Sequence, residues 1–166
     1  DMRLMACTLM HLSYDAPIVD QGSNSYAQAS FLTGVFELLE YDDLVTQTYT
    51  ALAIWSLGRS ATVRDTIAES TMGVPLLIRL LTVLSRRVSA KGQFRRPGQY
   101  IDPALLAPLT HSEMVRLKCL LGATWVLLFN DRNKTSAVRL GGVSMATAFL
   151  KWKDAPPYVL RSSLQV

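Results

Sequence analysis

Two histidines, His11 and His111, and two cysteines, Cys7 and Cys119, are the residues of this 166-residue chain best suited to acid–base, nucleophilic or soft-metal chemistry. Their spacing argues against such roles. Neither histidine is followed by Ser or Cys in a nucleophile motif, and no paired carboxylate is placed to orient one. The four have no CxxC or HxxxH spacing, so a zinc site is not expected. The carboxylate pairs Asp42-Asp43 and Asp65…Glu69 fall at a helix start or on an exposed face, where capping and solvation account for them. GxGxxG, GxxxxGK[ST] and GxSxG are all missing, and Gly141-Gly142 follows no strand that would make it a phosphate cradle. The expectation is a non-enzyme with no cofactor and no metal.

Other residues suit binding rather than catalysis. Trp55, Trp125, Phe149 and Trp152 lie at helical spacing among aliphatics, as core residues do. If Trp55 and Trp125 face outward instead, they become anchors for a partner, because Trp is enriched at binding hot spots. The basic residues cluster. Residues 1–84 carry four basic against nine acidic side chains. Arg86, Arg87, Lys91, Arg95 and Arg96 then follow with no acid between 85 and 100, and residues 101–166 carry a net +4. The pI of about 9.3 thus comes from one short segment and the C-terminal half, unlike a uniformly basic nucleic-acid binder. Arg86-Arg87-Val88-Ser89 also resembles a basophilic kinase site at Ser89. Phosphate there would cancel part of the local charge.

The elements that must position these residues are helical. Hydrophobic residues make up 49% of the chain, which excludes full disorder, yet no apolar run reaches the ~18 residues of a membrane span. Apolar residues recur at three- and four-residue spacing over Met2–Ser13, and again from Ala27 through Phe31, Val35, Leu38 and Leu39. Asp42-Asp43 caps a helix that keeps Leu44, Thr48, Ala51, Leu52 and Trp55 inward and stops at Gly58. Val63/Ile67 and Val74/Leu77/Ile78/Leu81 mark two helices broken at Met72-Gly73, with Pro75 suited to a first turn. Residues 85–110, rich in Gly, Pro and Arg, read as a long loop insertion. Thr110 and Glu113 form a capping box for a helix over Ser112–Phe129. Short helices over Thr135–Leu140 and Val143–Trp152 follow, and Pro156-Pro157 ends the last. Period-2 alternation is nearly absent, which leaves an all-α chain with no sheet.

A repeat runs through this pattern. Leu52–Leu57, Val63–Ile67 and Gly73–Leu81 match Ala123–Leu128, Asn133–Arg139 and Gly142–Leu150 in order and type: long helix, polar turn, short helix, Gly-Val break, amphipathic helix. A weaker copy joins Leu9–Ser13 to Gly34–Leu39. On the segments GVPLLIRLL and NDRNKTSAVRLGGV the chain resembles the armadillo repeat family. HEAT repeats share the architecture but usually lack the short middle helix. The resemblance implies a right-handed α-solenoid of about three three-helix repeats, approximately 1–40, 42–84 and 111–152, with 153–166 a tail or the start of a further repeat. It also implies a concave groove lined by the long helices that binds an extended peptide or a partner helix.

In importin-α-like members of that family the groove helices carry a Trp and, four residues on, an Asn. Alignment on Leu12, Leu57 and Leu128 puts Cys7/His11, Leu52/Ser56 and Ala123/Leu127 at those positions, so nuclear-localisation peptides are not the expected ligand. The expectation is a protein-interaction scaffold whose partner contacts include His11, Trp55, Ser56 and Trp125. A second reading docks the basic cluster, Arg86, Arg87, Lys91, Arg95 and Arg96, on an acidic polymer such as a tubulin surface or an RNA-containing particle. A third makes the chain a regulatory domain of a larger enzyme. Reduced thiols and the lack of a membrane span suit a cytoplasmic, cytoskeletal or ciliary location. The chain starts at Asp1, and its first helix, with Met2, Leu4, Met5, Leu9, Met10 and Leu12, is apolar on most sides. Both features lead us to expect part of a longer chain or larger complex, with Met2 and Met10 as the positions where Lys would improve solubility.

Overall fold

Polar residues at the helix starts decide where the elements of this chain begin. The computed structural model describes residues 1–14, 28–90 and 107–165. Among these residues there are nine helices and no strand: α1 (Met2–Tyr14), α2 (Ala29–Glu40), α3 (Leu44–Leu57), α4 (Ala61–Glu69), α5 (Gly73–Ala90), α6 (His111–Leu127), α7 (Asp131–Arg139), α8 (Gly142–Leu150) and α9 (Pro157–Gln165). The chain is all-helical over this span. The Asp43 carboxylate accepts from the Thr46 amide and hydroxyl, both at 2.8 Å, and caps α3. Thr110 and Glu113 close the expected capping box on α6, each side chain bonding the other residue's amide. Asn130 caps α7 by accepting from the amides of Arg132 and Asn133. Gly141, at φ +85°, takes the left-handed turn that separates α7 from α8.

The helices pack in two rows. In the first row α3 packs between α1 and α6, and α9 lies against α6 and α8. In the second row α5 packs between α2 and α8. The rows interlock, since α2 lies against both α3 and α5, and α5 against both α6 and α8. Phe36, Leu39, Ile54, Leu57, Leu77, Leu81, Leu117 and Leu120 are fully buried along the seam. Each such side chain contributes about 1.5–3 kcal/mol relative to exposure. No single helix among the described residues is long and apolar enough to cross a membrane.

Several sequence expectations are corrected. The inward set proposed for α3 is incomplete: of its members Ala51 is buried and Leu52 and Trp55 are half-buried against the core, but Thr46, Gln47, Thr50, Ala53, Ile54 and Leu57 are buried as well. A helix flanked by α1 and α6 and overlain by α2 is enclosed on most sides, so one apolar stripe does not describe it. Gly58 ends α3 at an ordinary φ of −65°, so left-handed freedom is not why glycine is there. A Cβ at that position would come within 2.6 Å of the Val126 side chain, and close approach to α6 explains it. Gly34 lies inside α2 and is no break, whereas Gly73 and Gly142 do begin helices. The helix expected to run to Trp152 and stop at Pro156-Pro157 ends at Leu150, and Pro157 begins α9, because proline lacks only an amide that a first turn leaves unpaired. Of the loop expected over 85–110, residues 85–90 are helical and 91–106 lie outside the described residues. Helix α5 runs to Ala90, and Leu84, Ser85 and Val88 are buried along its last turns.

The open end of α1 also differs in detail. Met2 and Met10 are half-buried against the core, and the exposed apolar residues are Leu4, Met5 and Leu12. Lysine would therefore be tolerated at Leu4 and Met5, not at Met2 and Met10.

Candidate functional site

The side chains with binding chemistry gather where the C-terminal ends of α3 and α6 meet. Trp55 projects from the last turns of α3 and lies against α6 at Gly122, where a Cβ would be 2.5 Å from the indole. Glycine at 122 is thus required by the ring, and Trp55 is held flat on the neighbouring helix while staying half-exposed. Leu52, Trp55, Ser56 and Arg59 line a small open hollow of about 60 Å³. Trp125, one turn beyond Gly122 on α6, is half-exposed and packs edge-on to Phe129, ring centroids 5.4 Å apart. The Arg64 guanidinium lies 5.9 Å from the Phe129 ring centroid, while its Nη1 donates to the carbonyls of Gly58 and Arg59 at 2.8 and 2.9 Å. The result is two neighbouring groups on α3 and α6: Trp55 beside Arg59 at the hollow, and Trp125 with Phe129 and Arg64.

Sequence reasoning found two of these rings and missed the rest. Phe129 is 59% exposed, a large ring left in water. Its signal in the sequence is the four-residue step from Trp125, which puts both rings on one helix face. Arg64 gave no signal, because its place over Phe129 depends on the short helix α4 folding back to the end of α3. Ser56 is near the surface, but its hydroxyl donates to the Ser13 carbonyl and ties α3 to the end of α1. His11 is exposed on α1 and does not line the hollow.

The basic cluster is divided. Arg86 and Ser89 lie on α5 and line a separate groove against α8, with Ser144 and Met145 opposite. The two tryptophans and the Arg86/Ser89 pair thus sit on different rows. Arg87 is largely buried and forms an ion pair with Glu113. Burial pushes the Glu113 carboxyl up, but hydrogen bonds from Arg87 and Thr110 outweigh it and hold it below the usual carboxylate range. Arg87 therefore works as a brace between α5 and the start of α6, and is not a free cation. Lys91, Arg95 and Arg96 lie outside the described residues. Ser89, the expected phosphosite, is half-exposed at the end of α5, between the buried Val88 and the end of the helix at Ala90.

Arg116 and Cys119 are enclosed in the packing between helices. Arg116 donates to Gln47 Oε1 at 2.7 Å, and burial lowers its pKa. The Cys119 thiol is buried, which raises its pKa and leaves it a poor nucleophile. Among the described residues no group of three or more His, Cys, Asp and Glu side chains is placed to hold a metal ion. No family model, no curated protein and no solved structure matches the chain.

Proposed function

We propose that this chain is a protein-interaction scaffold of armadillo-like solenoid type that binds a partner peptide or helix along the surface of its long helices. The observations that carry this reading are the half-exposed Trp55, held against α6 at Gly122 and lining an open hollow with Arg59, and the Trp125–Phe129 ring pair on α6 with the Arg64 cation beside it. Half-exposed tryptophans held rigid by neighbouring helices lose little entropy on binding and offer large contact area, which is the make-up of an interface hot spot. The cations at its edge favour a ligand that combines an apolar or aromatic side chain with a nearby carboxylate. The order of a long helix, a short helix and a helix begun at glycine, over 44–90 and again over 111–150, supports the repeat reading.

Peptide selection on the folded chain tests it. Selected peptides are expected to bind with an affinity that falls at least tenfold in Trp125→Ala, with the thermal midpoint little changed. Binding that is unaffected by Trp125→Ala but collapses as salt rises from 50 to 200 mM would instead favour docking on an acidic polymer. That second reading is weakened by the pairing of Arg87 with Glu113.

A further inference from the structure

At one end of the two rows a groove lies between α1 and α2. It has a volume of about 600 Å³, and its walls include Leu4, Met5 and Leu12 from α1 and Phe31 and Leu38 from α2. Leu4 and Met5 are 66% and 56% exposed. The rest of the molecule contains two grooves of the same construction, each between a long first-row helix and a second-row helix. The one between α3 and α5 holds α2, and the one between α6 and α8 holds α5. In both cases the occupant is an amphipathic helix, of 12 residues for α2 and 18 for α5. The α1–α2 groove is the third member of this series.

We propose that the α1–α2 groove is a docking site for an amphipathic helix of a partner chain, carrying an aliphatic stripe and a Lys or Arg that faces Glu37. The charge follows from register. Val35, Phe36 and Leu39 of α2 match Leu77, Ile78 and Leu81 of α5 as buried apolar residues, and the exposed Glu37 stands where α5 has the exposed Arg79. Arg79 donates to Glu40 of the preceding helix, α2, at 2.9 Å. Glu37, which lines the groove, therefore faces the equivalent position of an incoming helix, and the complementary residue there is a base. A second copy presenting its own α2 would put Glu40 at that position and set two carboxylates together, so the charge disfavours self-docking. Gly34 adds an independent mark. It lies inside α2, where glycine weakens a helix, and a Cβ there would meet nothing within 4 Å. No contact among the described residues asks for glycine at this place, but a helix laid across α2 does.

The test uses the whole chain and a fluorescent synthetic peptide of residues 73–90 carrying Thr82→Lys, which puts a base at the position equivalent to Glu40. Saturable binding is expected. Gly34→Leu should weaken it at least tenfold while the circular dichroism is retained and the thermal midpoint is unchanged or higher. Met5→Lys, on the exposed wall, should give the same loss by a route that does not touch α2. Glu37→Lys should weaken binding two- to fivefold, as expected for an exposed ion pair, and reverse the preference toward a Thr82→Glu peptide. Trp125→Ala should leave this binding intact, which separates the groove from the tryptophan surface. Absence of saturable binding, or binding indifferent to Gly34→Leu and Met5→Lys, would overturn the proposal. Dimers that Gly34→Leu dissociates, with no peptide binding, would also overturn it and assign the groove to a second copy.

Discussion

Helices α1 and α3 hold equivalent places in the first row, yet their burial runs opposite to their chemistry. Helix α3 buries Thr46, Gln47 and Thr50, while α1 leaves Leu4, Met5 and Leu12 exposed. The difference lies in their neighbours. Helix α3 has a helix on both sides and α2 laid over it, so even its polar residues are enclosed, and Gln47 is accommodated by bonds with Tyr41 and Arg116. Helix α1 has α3 on one side and the groove on the other. Burial in this fold is set by position in the row before it is set by residue type. Exposed leucine at the row's end therefore marks a surface that another helix would complete.

Matched truncations test this most severely. Leu120→Ala, in the middle of the row, should cost about 2–5 kcal/mol in chemical denaturation. Leu4→Ala, the same chemical change at the open end, should stay within about 0.5 kcal/mol. Comparable losses at both sites would mean that α1 is covered within this chain, and the contrast would fail. Gly122→Val tests the enclosed side by overpacking. It drives a side chain into the Trp55 ring and should cost about 1–3 kcal/mol, with a change in tryptophan fluorescence.

Smaller effects sharpen the same contrast. Thr110→Ala removes the cap of α6 and should cost about 1 kcal/mol. Glu113→Gln adds a pH signature. The folded-state pKa of Glu113 is lowered, so its contribution is complete at neutral pH and is lost as pH falls through that value. The stability gap between wild type and Glu113→Gln should be widest near pH 7 and close below the usual carboxylate range. A gap that widens toward acid would contradict the brace assigned to Arg87 and Glu113. Gly34→Ala has the opposite sign, a gain of about 0.5–1 kcal/mol from helix propensity alone.

The sequence disclosed what depends on neighbours along the chain. The Asp43 cap, the Thr110/Glu113 box and the break at Gly141-Gly142 are local devices, and each stands where its residues put it. What depends on neighbours in space was hidden. The inward face of α3 could be read only in part, because three helices enclose it. The last turn of α5 looked like loop because Arg86, Arg87 and Ser89 are polar, although Val88 is buried and Arg87 finds Glu113 across a gap of 26 residues. At the candidate site, Trp55 and Trp125 were legible as ring types, but Arg64 joins Phe129 only through the return of α4 to the end of α3. The role of Gly122 under the Trp55 ring was equally invisible, since nothing near it in sequence requires glycine.

The chain has three tryptophans, and they divide between the two regions that matter. Trp55 and Trp125 lie on the first-row surface, and Trp152 lines the groove between α5 and α8. Titration of the ¹⁵N-labelled chain with a selected peptide, followed through the three indole N–H signals, reads the binding surface directly. The account predicts that the signals of Trp55 and Trp125 shift together while that of Trp152 stays in place. Movement of Trp152 alone, or tight binding with Trp55 and Trp125 unmoved, would contradict it.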